Sequence, residues 1–269
     1  MPALTADVLS VLLPLSQDPA RGAVLCDIDG TLAPIAARPE DASVPKHVSQ
    51  LLGDLARRYA CVACITGRPA EEARRLVGQR GIAYAGLYGL ELLAPGQRHP
   101  QPAAAFKDWE MPVQRFSASH TTEELRGLGV RFEAKGPIAA FHWRGAPDED
   151  AALAALQGVA REAQSAGLAA YWGRKVLEVR PPVPINKGQA VRELVGIVEA
   201  KLALYGGDDT TDLDAFNAVD ALVAERKLDT AVRVGVRSDE GPLELVQRAD
   251  VVVDDVAGFA RVLDSLLPG

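Results

Sequence analysis

Apolar residues gather in five short runs along the chain: GAVLCDID (22–29), ACVACIT (60–66), LALYGGDD (202–209), VRVGV (232–236) and ADVVVDD (249–255). The first three are almost continuously apolar rather than alternating. That pattern predicts strands of a parallel sheet covered on both faces. Between them lie segments with apolar residues at helical spacing. These are PKHVSQLLGDLARRYA (45–60), PAEEARRLVGQRG (69–81) with its terminal glycine, NKGQAVRELVGIV (186–198) and DLDAFNAV (212–219). The apolar stretch within residues 1–22 predicts a short amphipathic helix. Alternation of strand and helix predicts an α/β fold, a Rossmann-like doubly wound parallel sheet.

The middle of the chain breaks this rhythm. FKDWEMPVQRFSASHTTEELRGLG (106–129) is followed by alternating runs, VRFEAKG and IAAFHWRG, that would pair as hairpins. DEDAALAALQGVAREAQSAG (148–167) then predicts a helix opened by acids and closed by glycine, and LAAYWGRKVLEVRPP (168–182) closes the block. The expectation is a small α+β domain inserted at 104–180 into a core formed by 1–103 and 181–269. The proline-rich PGQRHPQP (95–102) and RPPVP (180–184) mark its borders.

Composition narrows the function. The 269 residues carry a net charge of −7, which argues against general binding to nucleic acid or a membrane surface. An anionic ligand would have to be held locally, by a few cations, backbone N–H groups or a metal. No apolar run is long enough to span a bilayer, and residues 1–22 lack the basic lead and small-residue cleavage site of a signal peptide. The chain has three cysteines, and an odd count predicts a reducing compartment, the cytoplasm. Cys61 and Cys64 form a C-x-x-C that could be a redox or zinc pair. Its apolar, strand-like setting without a second pair favours buried core thiols.

Polar groups sit where the predicted strands end. Asp27 and Asp29 close the first, Thr66-Gly67-Arg68 the second, and Asp208-Asp209 the third with Asp212 behind; Lys187 opens a helix. Ligands of open α/β sheets bind at the carboxyl ends of strands. Clustered carboxylates repel unless a cation joins them, and Mg²⁺, a hard ion with oxygen ligands, is the natural partner. A lysine and a threonine hydroxyl would hold a phosphate against it. An aspartate is ionised at pH 7, its ordinary pKa being ~3.9, so it can attack phosphorus without a base once charge repulsion is relieved. Singly, each residue also has a plainer role: Thr66, Asp208, Asp209 or Asp212 as helix caps, Lys187 as a surface lysine.

In this order DIDGTL, ITGR, NKG and GGDDTTD resemble the four motifs of the haloacid-dehalogenase-like phosphatases. The resemblance implies phosphoryl transfer through an aspartyl-phosphate. Asp27 would be the nucleophile and Asp29 the acid and then the base. Thr66 and Lys187 would bind the phosphoryl group. Asp27, Asp29 through its carbonyl, and Asp208 would bind Mg²⁺, with Asp209 and Asp212 acting through water or orienting the ligands. Gly67 and Arg68 would contact substrate, although Arg68 could equally form a structural salt bridge. The insertion's position resembles the larger cap type of that superfamily. GLYGLELL, RFEAKGPIAAFHWR, KVLEVRPPVPINKG and GGDDTTDLDAF together resemble the trehalose-6-phosphate phosphatases over most of residues 22–264. Two positions depart from that pattern: Tyr88, where a smaller residue or histidine is frequent, and Leu213, where glutamate is frequent.

This second resemblance implies an enzyme acting on a small-molecule phosphosugar, releasing trehalose and phosphate from trehalose 6-phosphate; a monomer is the expected state, although the sequence itself does not give it. Glu133, Lys135, His142, Arg144 and Glu178 lie on strand-like runs of the insertion and would pair with sugar hydroxyls, or else form a solvated, charge-paired surface. A phosphatase of another phosphosugar (sucrose phosphate, mannosyl- or glucosyl-phosphoglycerate) and a non-catalytic sugar-phosphate sensor remain alternatives.

Overall fold

Gly22–Cys26 (β1) is buried at every position, as its unbroken apolar run requires. Ala23 and Leu25 point to one core, Val24 and Cys26 to the other, because successive strand side chains alternate. In the computed structural model, which describes residues 4–35, 42–135, 137–173, 175–238 and 241–268, β1 occupies the middle of an eight-stranded sheet.

On one side of β1 the chain runs through Cys61–Ile65 (β2) and Ala83–Gly86 (β3) to Glu91–Leu93 (β4) and Gln101–Pro102 (β5). On the other side lie Leu202–Gly207 (β10), Thr230–Val236 (β11) and Val251–Val253 (β12). All pairs from β12 to β3 are parallel, and β4 pairs antiparallel with β3. The sheet therefore winds outward in both directions from β1. The crevice at such a switch point is where this architecture binds ligands.

Helices cover both faces. Ala6–Gln17 (α1), Lys46–Ala56 (α2), Ala70–Val77 (α3) and Val256–Ser265 (α10) bury Leu12, Leu52, Val77 and Phe259 on one face. Lys187–Val198 (α7), Asp212–Ala224 (α8) and Leu243–Arg248 (α9) bury Val191, Leu194, Phe216 and Leu245 on the other. Each such side chain contributes about 1.5–3 kcal/mol on burial. No helix among the described residues is long and apolar enough to cross a membrane. Cys26, Cys61 and Cys64 are free and buried, with Cys26 and Cys64 directly paired across β1 and β2.

The chain divides into Met1–Gln101 with Ile185–Gly269, and Pro102–Pro184. The second unit runs helix, helix, strand, strand, helix, strand, strand. Glu110–His120 (α4) and Glu123–Gly127 (α5) precede Arg131–Lys135 (β6) and Ile138–His142 (β7); Glu149–Ser165 (α6) precedes Ala169–Gly173 (β8) and Val176–Arg180 (β9). The strands form a separate antiparallel sheet in the order β6-β7-β9-β8. Ala139, Phe141, Leu177 and Val179 pack with the helices through Val113, Leu156 and Ala163. Asp148 caps α6 by accepting from Ala151 N at 2.9 Å, which fits the acids expected at its start.

Two local features differ from the sequence pattern. β1 ends at Cys26, short of the run through residue 29, so Asp27 and Asp29 lie beyond the strand rather than closing it. Helix α3 stops at Val77, where Gly78 takes a left-handed φ of 77°, three residues before the glycine that closed the apolar pattern.

Candidate active site

Asp27 prolongs the β1 ladder by one backbone bond, its N–H donating to Gly206 O at 2.9 Å. The chain then folds into a tight loop. Leu32 N and Ala33 N both donate to Ile28 O at 2.8 Å, and Gly30 N donates to Ala33 O at 2.7 Å. Gly30 has a φ of +84°, and a Cβ there would lie 2.0 Å from the Asp208 carboxylate. No other residue fits so close to that acid. Thr31 Oγ1 donates to Asp208 Oδ1 at 3.1 Å, binding the loop after β1 to the end of β10.

Lys187 is the first residue of α7, whose N-terminus Asn186 caps by accepting from Gln189 N at 3.0 Å. The lysine side chain is only 2% exposed. Its Nζ lies 2.9 Å from Asp27 Oδ1 and donates to Asp212 Oδ1 at 2.7 Å. Asp212, itself 0% exposed, also accepts from Tyr205 OH at 2.6 Å and from the N–H groups of Asp208 and Asp209 at 2.9 Å each. Four donors match the acceptor capacity of a carboxylate. Asp212 thus orients Lys187 and the 208–209 turn. Gly207 makes room for it, since a Cβ there would lie 2.2 Å from its carboxyl carbon.

Thr66 is buried at the end of β2; its N–H donates to Ala85 O at 3.0 Å, and its hydroxyl accepts from Arg68 N at 3.2 Å. Arg68 grips Asp29 with two bonds, Nε to Oδ2 at 2.7 Å and Nη2 to Oδ1 at 2.8 Å, and is itself braced by Glu72 one turn along α3. The next segment is strained. Leu87, Tyr88 and Gly89 have successive φ values of 52°, 60° and 95°. Left-handed backbone costs of order 1–3 kcal/mol at each non-glycine position. Leu87 N and Tyr88 N hold it by donating to Arg68 O and Thr66 O at 3.0 and 2.9 Å.

The electrostatics are unbalanced. Burial pushes the Asp27 carboxyl up to about 8 against the pull of Lys187, with Asp212 adding to the push. Burial, and next Asp212, lift Asp208 to about 7. Burial would lower Lys187, but the charges of Asp27 and Asp212 outweigh it and hold its ammonium above the usual lysine range. Asp27, Asp208 and Asp212 together offer ligand oxygens within 4.8 Å of one another. Three buried carboxylates face one ammonium, an excess of two negative charges when all are ionised. With Asp212 filled by its four donors, Asp27 and Asp208 are left to offer carboxylate oxygens, hard donors that with that deficit could hold a divalent cation.

Asp27, Asp29, Thr66, Gly67, Arg68, Lys187, Asp208 and Asp209 line one cavity of about 640 Å³, with Asp212 beneath it. Asp209 is exposed, and its carboxylate accepts from Thr210 N. In the second unit, Glu133 and His142 meet at 2.9 Å, and Arg180 pairs with Glu178 while stacking over Tyr171 at 4.6 Å. Arg144 departs from its expected place on a strand: β7 ends at His142, and Arg144 is exposed in the turn that follows. The side chain of Lys135 is outside the described residues. Sequence reasoning missed Tyr205, which reads as one more apolar strand residue, and Glu72 and Arg180, although their partners Arg68 and Glu178 lie only four and two residues away, at spacings that could have signalled the pairs.

A doubly wound core with these groups at the end of its central strand is a haloacid-dehalogenase-like α/β core. A family model described as trehalose-phosphatase matches residues 25–244, and the chain belongs to that family. A trehalose-phosphate phosphatase of Mycobacterium marinum is 36% identical over 206 residues, 74% of this chain and 52% of that protein. A probable trehalose-phosphate phosphatase of Sinorhizobium fredii is 34% identical over 223 residues, 82% of this chain and 81% of that protein. The chain spans about half the length of the mycobacterial phosphatase, and 15% of an uncharacterized glycosyl hydrolase of Mycobacterium tuberculosis that is 37% identical over 207 residues. An Aspergillus fumigatus trehalose-6-phosphate phosphatase structure superposes with a TM-score of 0.66 at 22% identity, covering 99% of this chain and 98% of that one.

Proposed function

We propose that this core hydrolyses trehalose 6-phosphate to trehalose and inorganic phosphate, with Asp27 carrying the phosphoryl group between the two steps. The observation behind this reading is the Asp27–Lys187 contact at 2.9 Å, at the end of the strand from which the sheet winds both ways. A carboxylate oxygen of Asp27 attacks phosphorus, and the bond from phosphorus to the sugar oxygen breaks. Asp29 gives its proton to the departing alkoxide. It then takes one from water, whose oxygen attacks phosphorus and frees Asp27 with release of phosphate. Arg68 holds both carboxylate oxygens of Asp29, which fixes the place from which that side chain gives and takes its proton. The Thr66 hydroxyl and the Lys187 ammonium hold phosphoryl oxygens throughout. Asp27, Asp208 and the main-chain carbonyl of Asp29 would hold Mg²⁺, which when bound would supply the positive charge that lets one anion approach another.

Glu133, His142 and Glu178, with Lys135 and Arg144, are assigned to sugar hydroxyls. The exposed carboxylate–imidazole pair of Glu133 and His142 supports this, since such groups both donate and accept. Three free, buried thiols support a cytoplasmic setting.

The test is phosphate release from trehalose 6-phosphate against a panel of sugar phosphates, with and without EDTA. Release that is fastest from trehalose 6-phosphate and abolished by chelation is expected. Preference for another ester, or indifference to EDTA, would refute the reading.

A further inference from the structure

The strained turn after β3 carries a side chain that the chemistry above does not use. Tyr88 has a φ of 60° and a ψ of 28°, follows Leu87 at a φ of 52°, and precedes Gly89 at 95°. The residue is 43% exposed, and it lines the same cavity as Asp27, Thr66 and Lys187. Large aromatic side chains at left-handed positions are outliers, because Gly or Asn would adopt that backbone at less cost. Here the fold holds the outlier in place from both ends. Backbone bonds from Leu87 and Tyr88 reach the Thr66–Arg68 loop. Gly89 packs against the first turn of α7, where a Cβ would lie 3.0 Å from Ala190 Cβ.

A second position is shaped around the phenol. A Cβ on Gly67 would lie 2.7 Å from both Tyr88 Oη and its ring carbon Cζ. Glycine at 67 therefore lets the tyrosine lie against the loop that carries Thr66. The result is an aromatic wall on the cavity that Asp27, Thr66 and Lys187 also line, on a backbone tied to the Thr66–Arg68 loop.

We propose that Tyr88 is a specificity-determining residue of the core, the wall against which the leaving sugar of the phosphoester lies. This rests on the phosphomonoesterase reading above. The ring face takes the C–H side of a pyranose, and the phenol hydroxyl donates to or accepts from a ring hydroxyl. Tyr88 makes and breaks no bond. It acts on which alcohol may depart, so its effect falls on discrimination between esters rather than on the chemical step.

Trehalose 6-phosphate and p-nitrophenyl phosphate, which has no pyranose, separate this role from a structural one. With Tyr88→Ala, kcat/KM for the sugar ester should fall about tenfold, mainly through KM, while that for p-nitrophenyl phosphate stays within about twofold. Tyr88→Phe should lie between wild type and Tyr88→Ala. Tyr88→Asn, which suits left-handed backbone, should melt no lower than wild type and show the same loss of preference. Equal losses on both esters would mean that Tyr88 only holds the loop, and an unchanged ratio would mean that the sugar does not touch it; either overturns the proposal.

Calorimetry on Asp27→Asn protein gives a readout free of turnover. Adding Tyr88→Ala should raise the Kd for trehalose 6-phosphate while leaving that for inorganic phosphate unchanged. Should wild type prefer a different sugar phosphate, the function proposed above fails, and the Tyr88 comparison is made with the preferred ester.

Discussion

Asp212 receives the Lys187 ammonium at 2.7 Å from a carboxylate fully closed to solvent, and the same ammonium lies 2.9 Å from Asp27. One lysine is thereby aimed at the proposed nucleophile by an acid that is saturated elsewhere. Asp212→Ala would strand the Tyr205 hydroxyl, two backbone N–H groups and part of the lysine's charge. Removing one partner of a buried pair costs about 3–5 kcal/mol. Urea unfolding with Mg²⁺ present should show a loss of that size, and a loss below about 1 kcal/mol would show that water replaces Asp212.

Asp27→Asn should abolish turnover, with kcat reduced at least about 10⁴-fold, while far-UV circular dichroism stays unchanged. In metal-free buffer at pH 8 the variant should melt at or above wild type, because it removes a carboxylate that burial disfavours. Residual activity within tenfold of wild type would reassign the nucleophile.

The metal-free protein should lose stability as pH rises. Asp27 and Asp208 are lifted from the ordinary 3.8 to about 8 and about 7 in the fold. Their folded forms therefore hold protons that the unfolded chain releases. This contribution is fully present below about pH 3.8 and is lost as pH climbs through 7 and 8. A divalent ion displaces those protons, so Mg²⁺ should bind more tightly as pH rises, by up to about tenfold per unit for each proton released. Thermal melts from pH 5.5 to 8.5, with and without Mg²⁺, should show a Mg²⁺-induced gain that widens toward the alkaline end. A gain independent of pH would place the ion elsewhere.

Arg68→Ala should free Asp29 from its two-bond clamp and leave Glu72 without its partner. The expected loss in kcat is about 10–100-fold with a smaller change in KM, since the group touched is an acid–base residue rather than a binding one. Rapid-quench measurements should find more phosphorylated enzyme at steady state, because the water-activating step slows. Arg68→Lys should not restore the rate, as an ammonium cannot make both bonds. Wild-type kcat in either variant would make the ion pair purely structural.

Much of this is legible in the amino-acid sequence. The buried parallel strands announce themselves as uninterrupted apolar runs, and β1, β2 and β10 lie where those runs do. The acids, the threonine and the lysine stand out because polar groups punctuate those runs at their ends. β3 was not legible. Ala83–Gly86 reads AYAG, one tyrosine among three small residues with no β-branched side chain, and it becomes a strand because it pairs with β2. Tyr205 was hidden by its strand, and the saturation of Asp212 depends on partners as far away as residue 187. The clamp on Asp29 was open at the sequence level because Arg68 could reach either phosphate or a carboxylate, and only three-dimensional proximity decides between them.

The insertion also imposes an order in time. Asp27 and Thr66 leave the ribosome before residues 102–184, and Lys187, Asp208 and Asp212 after them. A nascent chain that has just finished the insertion carries the acid of β1 without the lysine that answers it and without the strand that pairs with β1 on its other side. The core is then half a sheet with its central strand exposed along one edge. Residues 185–269 thus bring both the strand that closes that edge and the charged partners of Asp27, so the proposed phosphate site has all its parts only after this segment has been made.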